Sequence, residues 1–96
     1  MNKDIENKII EAMKLEALEE FRSALEKYQE VVEVDKENVE ALFKVGEMYH
    51  QLGELPAAMS AYFRVTDIEP DHKKAKVKVE MIKSIMDYFN PDLYNP

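Results

Sequence analysis

The chain has 96 residues, of which 46% are hydrophobic and 34% are charged, a composition typical of one small folded domain. It has no cysteine, which excludes disulfides, thiolate metal sites and thiol catalysis. The net charge of −7 argues against nucleic acid as a partner, because a nucleic-acid site needs a basic face. No apolar run approaches the roughly 20 residues that cross a bilayer, and the first residues do not resemble a secretory signal. We therefore expect a cytoplasmic protein without membrane or nucleic-acid partners.

Hydrophobic periodicity predicts five helices, at about residues 4–18, 21–34, 38–52, 55–68 and 72–89. Gly53 separates the third helix from the fourth, and Pro56 suits the first turn of the fourth, where its missing N–H is not needed. Pro70 and Pro91 end the fourth and fifth helices, because the residue before a proline is disfavoured in helical geometry. The predicted fold is therefore all-α, with tight turns between long helices.

The sequence repeats with a period of 34 residues. Shifting the chain by this period pairs Ala12 with Gly46, Leu15 with Tyr49, Leu18 with Leu52, Phe21 with Leu55, Ala24 with Ala58, Tyr28 with Tyr62, Val31 with Val65 and Val34 with Ile68. The match continues for half a unit, pairing Ala41 with Ala75, Val45 with Val79, Met48 with Ile82 and Leu52 with Met86. Agreement in size and polarity at so many positions indicates an array of helix-turn-helix units.

The second unit has the residue spacing of a known repeat. Its signature positions are Leu42, Val45, Gly46, Tyr49, Gly53, Ala58, Tyr62, Val65 and Pro70. With these residues the chain resembles the tetratricopeptide repeat family, whose unit is a 34-residue helix-turn-helix. The resemblance implies a right-handed superhelix of five helices that binds other proteins and is not an enzyme.

The resemblance implies a single domain over residues 1–96. Its parts are repeat 1 at 5–38, repeat 2 at 39–72, a capping helix at 73–89 and a tail at 90–96, which is similar to the tails of small free-standing bacterial proteins of this type. Repeat 1 departs from the family pattern at Lys8, Glu11, Glu19 and Lys36. Polar residues suit the first repeat, because no earlier helix covers that side of it.

The fifth helix is apolar on two sides. One stripe, expected to pack on the fourth helix, consists of Ala75, Val79, Ile82, Met86 and Phe89. The other, roughly opposite, consists of Val77, Met81, Ile85 and Tyr88. We expect another group to pack on this second apolar stripe and shield it from water. That group could be a ligand, the tail 90–96 folding back through Leu93 and Tyr94, or a second copy of the chain.

The resemblance also implies a concave binding surface formed by the first helix of each unit and by the capping helix. Its expected lining is Ile9, Ile10, Met13 and Glu16, then Glu40, Phe43, Lys44, Glu47 and His50, and finally Lys74, Val77, Lys78, Met81 and Ile85. Apolar side chains beside lysines favour an adaptor or scaffold whose groove binds a peptide or helix. Alternatively, Ile9, Ile10 and Met13 complete the core. A homodimer is the alternative function, because arrays usually need about three units and this chain has two and a half.

Some relatives hold the C-terminal carboxylate of a partner with lysine, asparagine and arginine on these helices. Lys74 and Lys78 stand at such positions, but Ile9, Met13 and Lys44 replace the lysine and asparagines of the family. The clamp is therefore not intact. A looser site is the prediction, in which the carboxylate of an acidic, apolar peptide lies near Lys44, Lys74 and Lys78.

Catalysis, metal binding and cofactor binding are not expected. Glu47 and His50 have the i, i+3 spacing of half a bundle metal site, but the sequence has no second copy of the motif. His72, just after Pro70, is predicted to be solvated and without a partner. The sequence has no glycine-rich phosphate loop and no serine in a nucleophile context.

Overall fold

The computed structural model describes residues 3–89. Its five helices are α1 Lys3–Ala17, α2 Phe21–Val34, α3 Val39–Gln51, α4 Leu55–Ile68 and α5 Lys73–Phe89. They confirm the predicted all-α array, and no helix end differs from its predicted position by more than one residue. None of these helices is long and apolar enough to cross a membrane. The predictions on Pro91, Leu93 and Tyr94 fall outside the described residues.

The turns inside the two helical pairs, α1–α2 and α3–α4, have matching hydrogen bonds. The backbone N–H of Glu20 donates to the carbonyl of Leu15 over 2.9 Å, and that of Glu54 donates to the carbonyl of Tyr49 over 2.9 Å. These donors and acceptors are 34 residues apart in sequence. The period of the sequence is therefore also a period of the backbone.

The helices that follow each pair begin with matching caps. The Asn38 side chain accepts a hydrogen bond of 2.9 Å from the N–H of Ala41 at the start of α3. At the start of α5, Nδ1 of His72 accepts one of 3.1 Å from the N–H of Ala75. Each cap satisfies an N–H that the first turn leaves unpaired. The prediction that His72 is solvated and without a partner is therefore wrong, and the residue is half-buried.

The core consists of three clusters of buried side chains between successive helices, each of which packs against its neighbours in the chain. Its largest fully buried side chains are Tyr28, Tyr62, Leu42, Met48, Ile82, Val31 and Val65. Ile82 and Met86 of α5 pack with Ala58 and Tyr62 of α4, which confirms the predicted inner stripe for these two residues. The side chain of Phe89 lies outside the described part of the chain.

Helices α3 and α4 approach each other most closely at Gly46. A Cβ atom at this position would lie 2.6 Å from Cε1 of Tyr62, closer than real Cβ contacts allow. The tyrosine ring therefore lies directly against the α3 backbone. A residue with a Cβ would therefore not fit at Gly46 unless the tyrosine ring moved.

Candidate peptide-binding groove

A groove of about 870 Å³ lies between α3 and α5. Its lining is Val39, Glu40, Phe43, Lys44 and Glu47 from α3, Glu69 and His72 from the α4–α5 turn, and Lys73, Lys74, Val77 and Lys78 from α5. We call this surface the α3–α5 groove. It exists because α5 packs mainly on α4, which leaves the first turns of α5 to face α3 across an open space.

Seven of the fourteen predicted lining residues do line the α3–α5 groove. They are Glu40, Phe43, Lys44, Glu47, Lys74, Val77 and Lys78. Two others, Ile9 and Ile10, line a separate pocket of about 560 Å³ between α1 and the start of α3, with Ile5, Glu6, Asp35, Asn38 and Glu40. The remaining five line neither space; they are Met13, Glu16, His50, Met81 and Ile85. The predicted surface is thus divided in two, with Glu40 bordering both parts.

The apolar part of the groove is centred on Phe43. Its half-buried ring lies 5.4 Å from the ring of Tyr62 and 5.3 Å from the ring of His72, measured between centroids. Both neighbours are held by the fold, since Tyr62 is in the core and His72 caps α5. The Phe43 ring is therefore a fixed apolar surface, and the exposed side chain of Val77 extends it.

Three lysines of α5 form the basic side of the groove. Lys73 and Lys74 are exposed and Lys78 is half-buried. Within residues 3–89 none of the three forms an ion pair, in contrast to several lysines elsewhere in the chain. Their charges are therefore available to an acidic ligand.

Lys44, on the opposite side, is engaged by the protein itself. Its Nζ lies 3.2 Å from Oε2 of Glu16 and 3.4 Å from Oε1 of Glu47. Burial lowers the pKa of Lys44, but the hydrogen bond to Glu16 and the charges of both carboxylates outweigh this effect, and the pKa is raised. Of the three lysines predicted to meet a ligand carboxylate, Lys44 thus already has intramolecular partners.

The sequence prediction omitted four residues that line the groove, Val39, Glu69, His72 and Lys73. For His72, the sequence did hold a sign of its role as a helix cap. It stands 34 residues after Asn38, and asparagine is a favoured helix cap, so the 34-residue period marks position 72 as a capping position. The side-chain contact of His72 with Phe43 had no such signal.

Within residues 3–89 no group of three histidine, aspartate or glutamate side chains could hold a metal ion. The groove offers apolar contact at the Phe43 ring and charge pairing at the three lysines of α5, none of which forms an ion pair in the described chain.

The sequence model of the tetratricopeptide repeat family matches residues 11–72. The match covers more than half of the chain, and the chain belongs to this family. Tetratricopeptide repeats generally mediate protein–protein interactions and are typically non-enzymatic. No curated protein matches this sequence.

Proposed function

We propose that this protein is an adaptor or scaffold that binds an acidic, apolar peptide or helix of a partner protein in the α3–α5 groove. The observation that carries the proposal is that the Phe43 ring shares the groove with three lysines that have no ion pair within residues 3–89. An acidic segment would supply the missing countercharges, while its apolar side chains would cover Phe43 and Val77. Apolar contact would contribute most of the affinity, and the lysines would select the partner.

We further propose that the chain forms one domain with repeats at 5–38 and 39–72 and a capping helix at 73–89. The turn hydrogen bonds and helix caps that recur after 34 residues support this division. In this arrangement α5 has two roles, since it covers α4 with one side and presents lysines to the groove with another.

A charge-reversal pair tests the proposed groove. The double variant Lys74→Glu, Lys78→Glu should lose capture of labelled acidic, apolar peptides, because both groove cations become anions. The matched control is Lys76→Glu, Lys83→Glu, which makes the same change in net charge at exposed α5 positions outside the groove lining. Unchanged affinity in the groove variant, or an equal loss in the control, would count against the α3–α5 groove as the binding site.

A homodimer is the second candidate function, and exposed apolar side chains on the two end helices favour it. Ile10 and Met13 of α1 are 49% and 51% exposed, and Val77 and Met81 of α5 are 61% and 41% exposed. The α1 pocket has acidic neighbours while the exposed side of α5 has lysines, so a two-fold pair could join α1 of one copy to α5 of the other. Light scattering after size exclusion over about a hundredfold dilution tests this, because a mass of one chain throughout excludes it.

A further inference from the structure

One side of α1 has the residue spacing of a helix that binds in a groove. Glu6, Ile9, Ile10 and Met13 stand at positions i, i+3, i+4 and i+7, which places them on the same side of the helix. Ile9 is half-buried because it packs on the core, whereas Ile10 and Met13 are exposed. The apolar side of α1 is therefore wider than the part that the core covers.

The carboxylates beside this side of α1 carry charge that the protein does not neutralise by ion pairing. Glu6 lines the α1 pocket together with Asp35 and Glu40. Within residues 3–89 none of the three forms an ion pair. The exposed apolar surface of α1 thus has an acidic border, and its complement is an apolar surface bordered by cations.

The α3–α5 groove has this complementary chemistry. Lys73, Lys74 and Lys78 form no ion pair in the described chain, and Phe43 and Val77 provide the apolar part. Among residues 3–89, none from α1 lines this groove, because α1 packs on α2 and α5 packs on α4 at the other end of the array. The α1 helix that enters the groove must therefore come from a second copy of the chain.

We propose that two copies associate about a two-fold axis, with α1 of each copy in the α3–α5 groove of the other, and that this dimer regulates the proposed function by covering the groove. The inference rests on the proposed function, because it makes α1 and the acidic, apolar partner segment competitors for one site. Two-fold symmetry covers both grooves at once, and it covers Ile10 and Met13 of both copies in the same contact.

The regulation follows from mass action. Only a chain that has left the dimer can bind the partner segment, so the apparent affinity falls in proportion to the fraction of monomeric chains. The protein is therefore closed to its partner where it is concentrated and open where it is dilute, and a saturating partner separates the two copies.

Two exposed side chains of α1 test the dimer without a change in the groove lining. Ile10→Ser, Met13→Ser should be a monomer by light scattering at concentrations where the wild type is a dimer, because the apolar contact is lost. The matched control is Val34→Ser, Phe63→Ser, which removes two exposed apolar side chains from α2 and α4 and should leave the dimer intact. A wild type that is a monomer at every concentration, or a control that dissociates like the α1 variant, overturns the proposal.

An exchange of charges identifies the surfaces that meet. Glu6→Lys, and separately Lys74→Glu, Lys78→Glu, should each dimerise at least about tenfold more weakly than the wild type, because like charges then face each other. An equimolar mixture of the two should form heterodimers, since opposite charges then meet at both contacts. The control is Glu26→Lys, at an exposed position of α2, which should not recruit the lysine variant into heterodimers in this way. No heterodimer in the Glu6→Lys mixture overturns the proposal.

Competition shows whether the dimer covers the groove. The probe is a fluorescein-labelled peptide with the sequence of α1, which is itself acidic at its start and apolar. When the wild type is at about ten times its dimer dissociation constant, about a fifth of its chains are monomeric, so the peptide should bind Ile10→Ser, Met13→Ser about fivefold more tightly than the wild type. An excess of unlabelled peptide should convert the wild-type dimer into monomers.

The outcomes separate this inference from the proposed function. A wild-type dimer that persists at saturating peptide uses another surface, which overturns the inference and leaves the peptide groove standing. If the monomeric variant Ile10→Ser, Met13→Ser binds no acidic, apolar peptide, the proposed function fails, and the regulation fails with it.

Discussion

Glu19 and Gly53 adopt the same left-handed backbone conformation 34 residues apart, with φ angles of 60° and 75°. Each ends the turn inside its helical pair, where the N–H of Glu19 donates to the carbonyl of Glu16 and that of Gly53 to the carbonyl of His50. Glycine adopts this conformation without strain, whereas a residue with a Cβ is disfavoured in it by about 1–2 kcal/mol. The turn geometry therefore belongs to the array and is imposed on Glu19.

The strain at Glu19 predicts a stabilising substitution. Glu19→Gly should raise the free energy of unfolding by about 1 kcal/mol, because it removes the Cβ from a left-handed position. Gly53→Ala should lower the free energy of unfolding by a similar amount. The cause is again the left-handed backbone conformation and not a clash, since a Cβ at Gly53 would meet no other atom within 4 Å. Urea denaturation of both variants checks this. A loss of stability in Glu19→Gly would contradict the argument.

The contact between Gly46 and Tyr62 predicts a loss of stability at a second glycine, here because of packing and not because of backbone conformation. Gly46→Ala should lower the free energy of unfolding by about 1–3 kcal/mol, because the new methyl group would overlap the tyrosine ring. Helix propensity by itself predicts that replacing this glycine by alanine stabilises α3 by about 1 kcal/mol. The sign of the change in the midpoint temperature of thermal unfolding therefore decides between the two effects. The first pair accepts a methyl at its equivalent position, Ala12.

The cap of α5 predicts different results for two substitutions of His72. His72→Ala should lower the free energy of unfolding by about 1 kcal/mol, because the N–H of Ala75 loses its acceptor. His72→Asn should recover most of this loss, since Asn38 provides the same cap to α3. Chemical denaturation measures both. Equal stability of His72→Ala and the wild type would show that the cap contributes nothing.

The ion pairs of Lys44 predict that it stabilises the fold. Lys44→Met should lower the free energy of unfolding by about 1 kcal/mol, because Glu16 and Glu47 lose the cation between them. The matched control is Lys74→Met, which should stay within about 0.5 kcal/mol of the wild type, because Lys74 is exposed and has no ion pair in the described chain. Urea unfolding of both variants makes the comparison. An equal change in the two would refute a structural role for Lys44.

Much of the fold could be predicted because its signals are local. Apolar spacing, Gly53 and the prolines place the helix ends, and the 34-residue period relates one pair to the next. The candidate site was predicted only in part. Phe43, Lys74 and Lys78 do lie around one groove, but Ile9 lies in a separate pocket, because α1 meets the start of α3 and not α5.

The sequence by itself determined the helices, their order and the positions that recur, since these depend on residues close together in the chain. The tertiary structure decided which lysines form ion pairs within the protein and which remain available to a ligand. Lys44 and Lys78 are equivalent in sequence, but among residues 3–89 only Lys44 forms an ion pair with a glutamate, which stands 28 residues before it. Pairing at that distance depends on how α1 and α3 pack, whereas Lys78 lines the groove without an ion pair in the described chain.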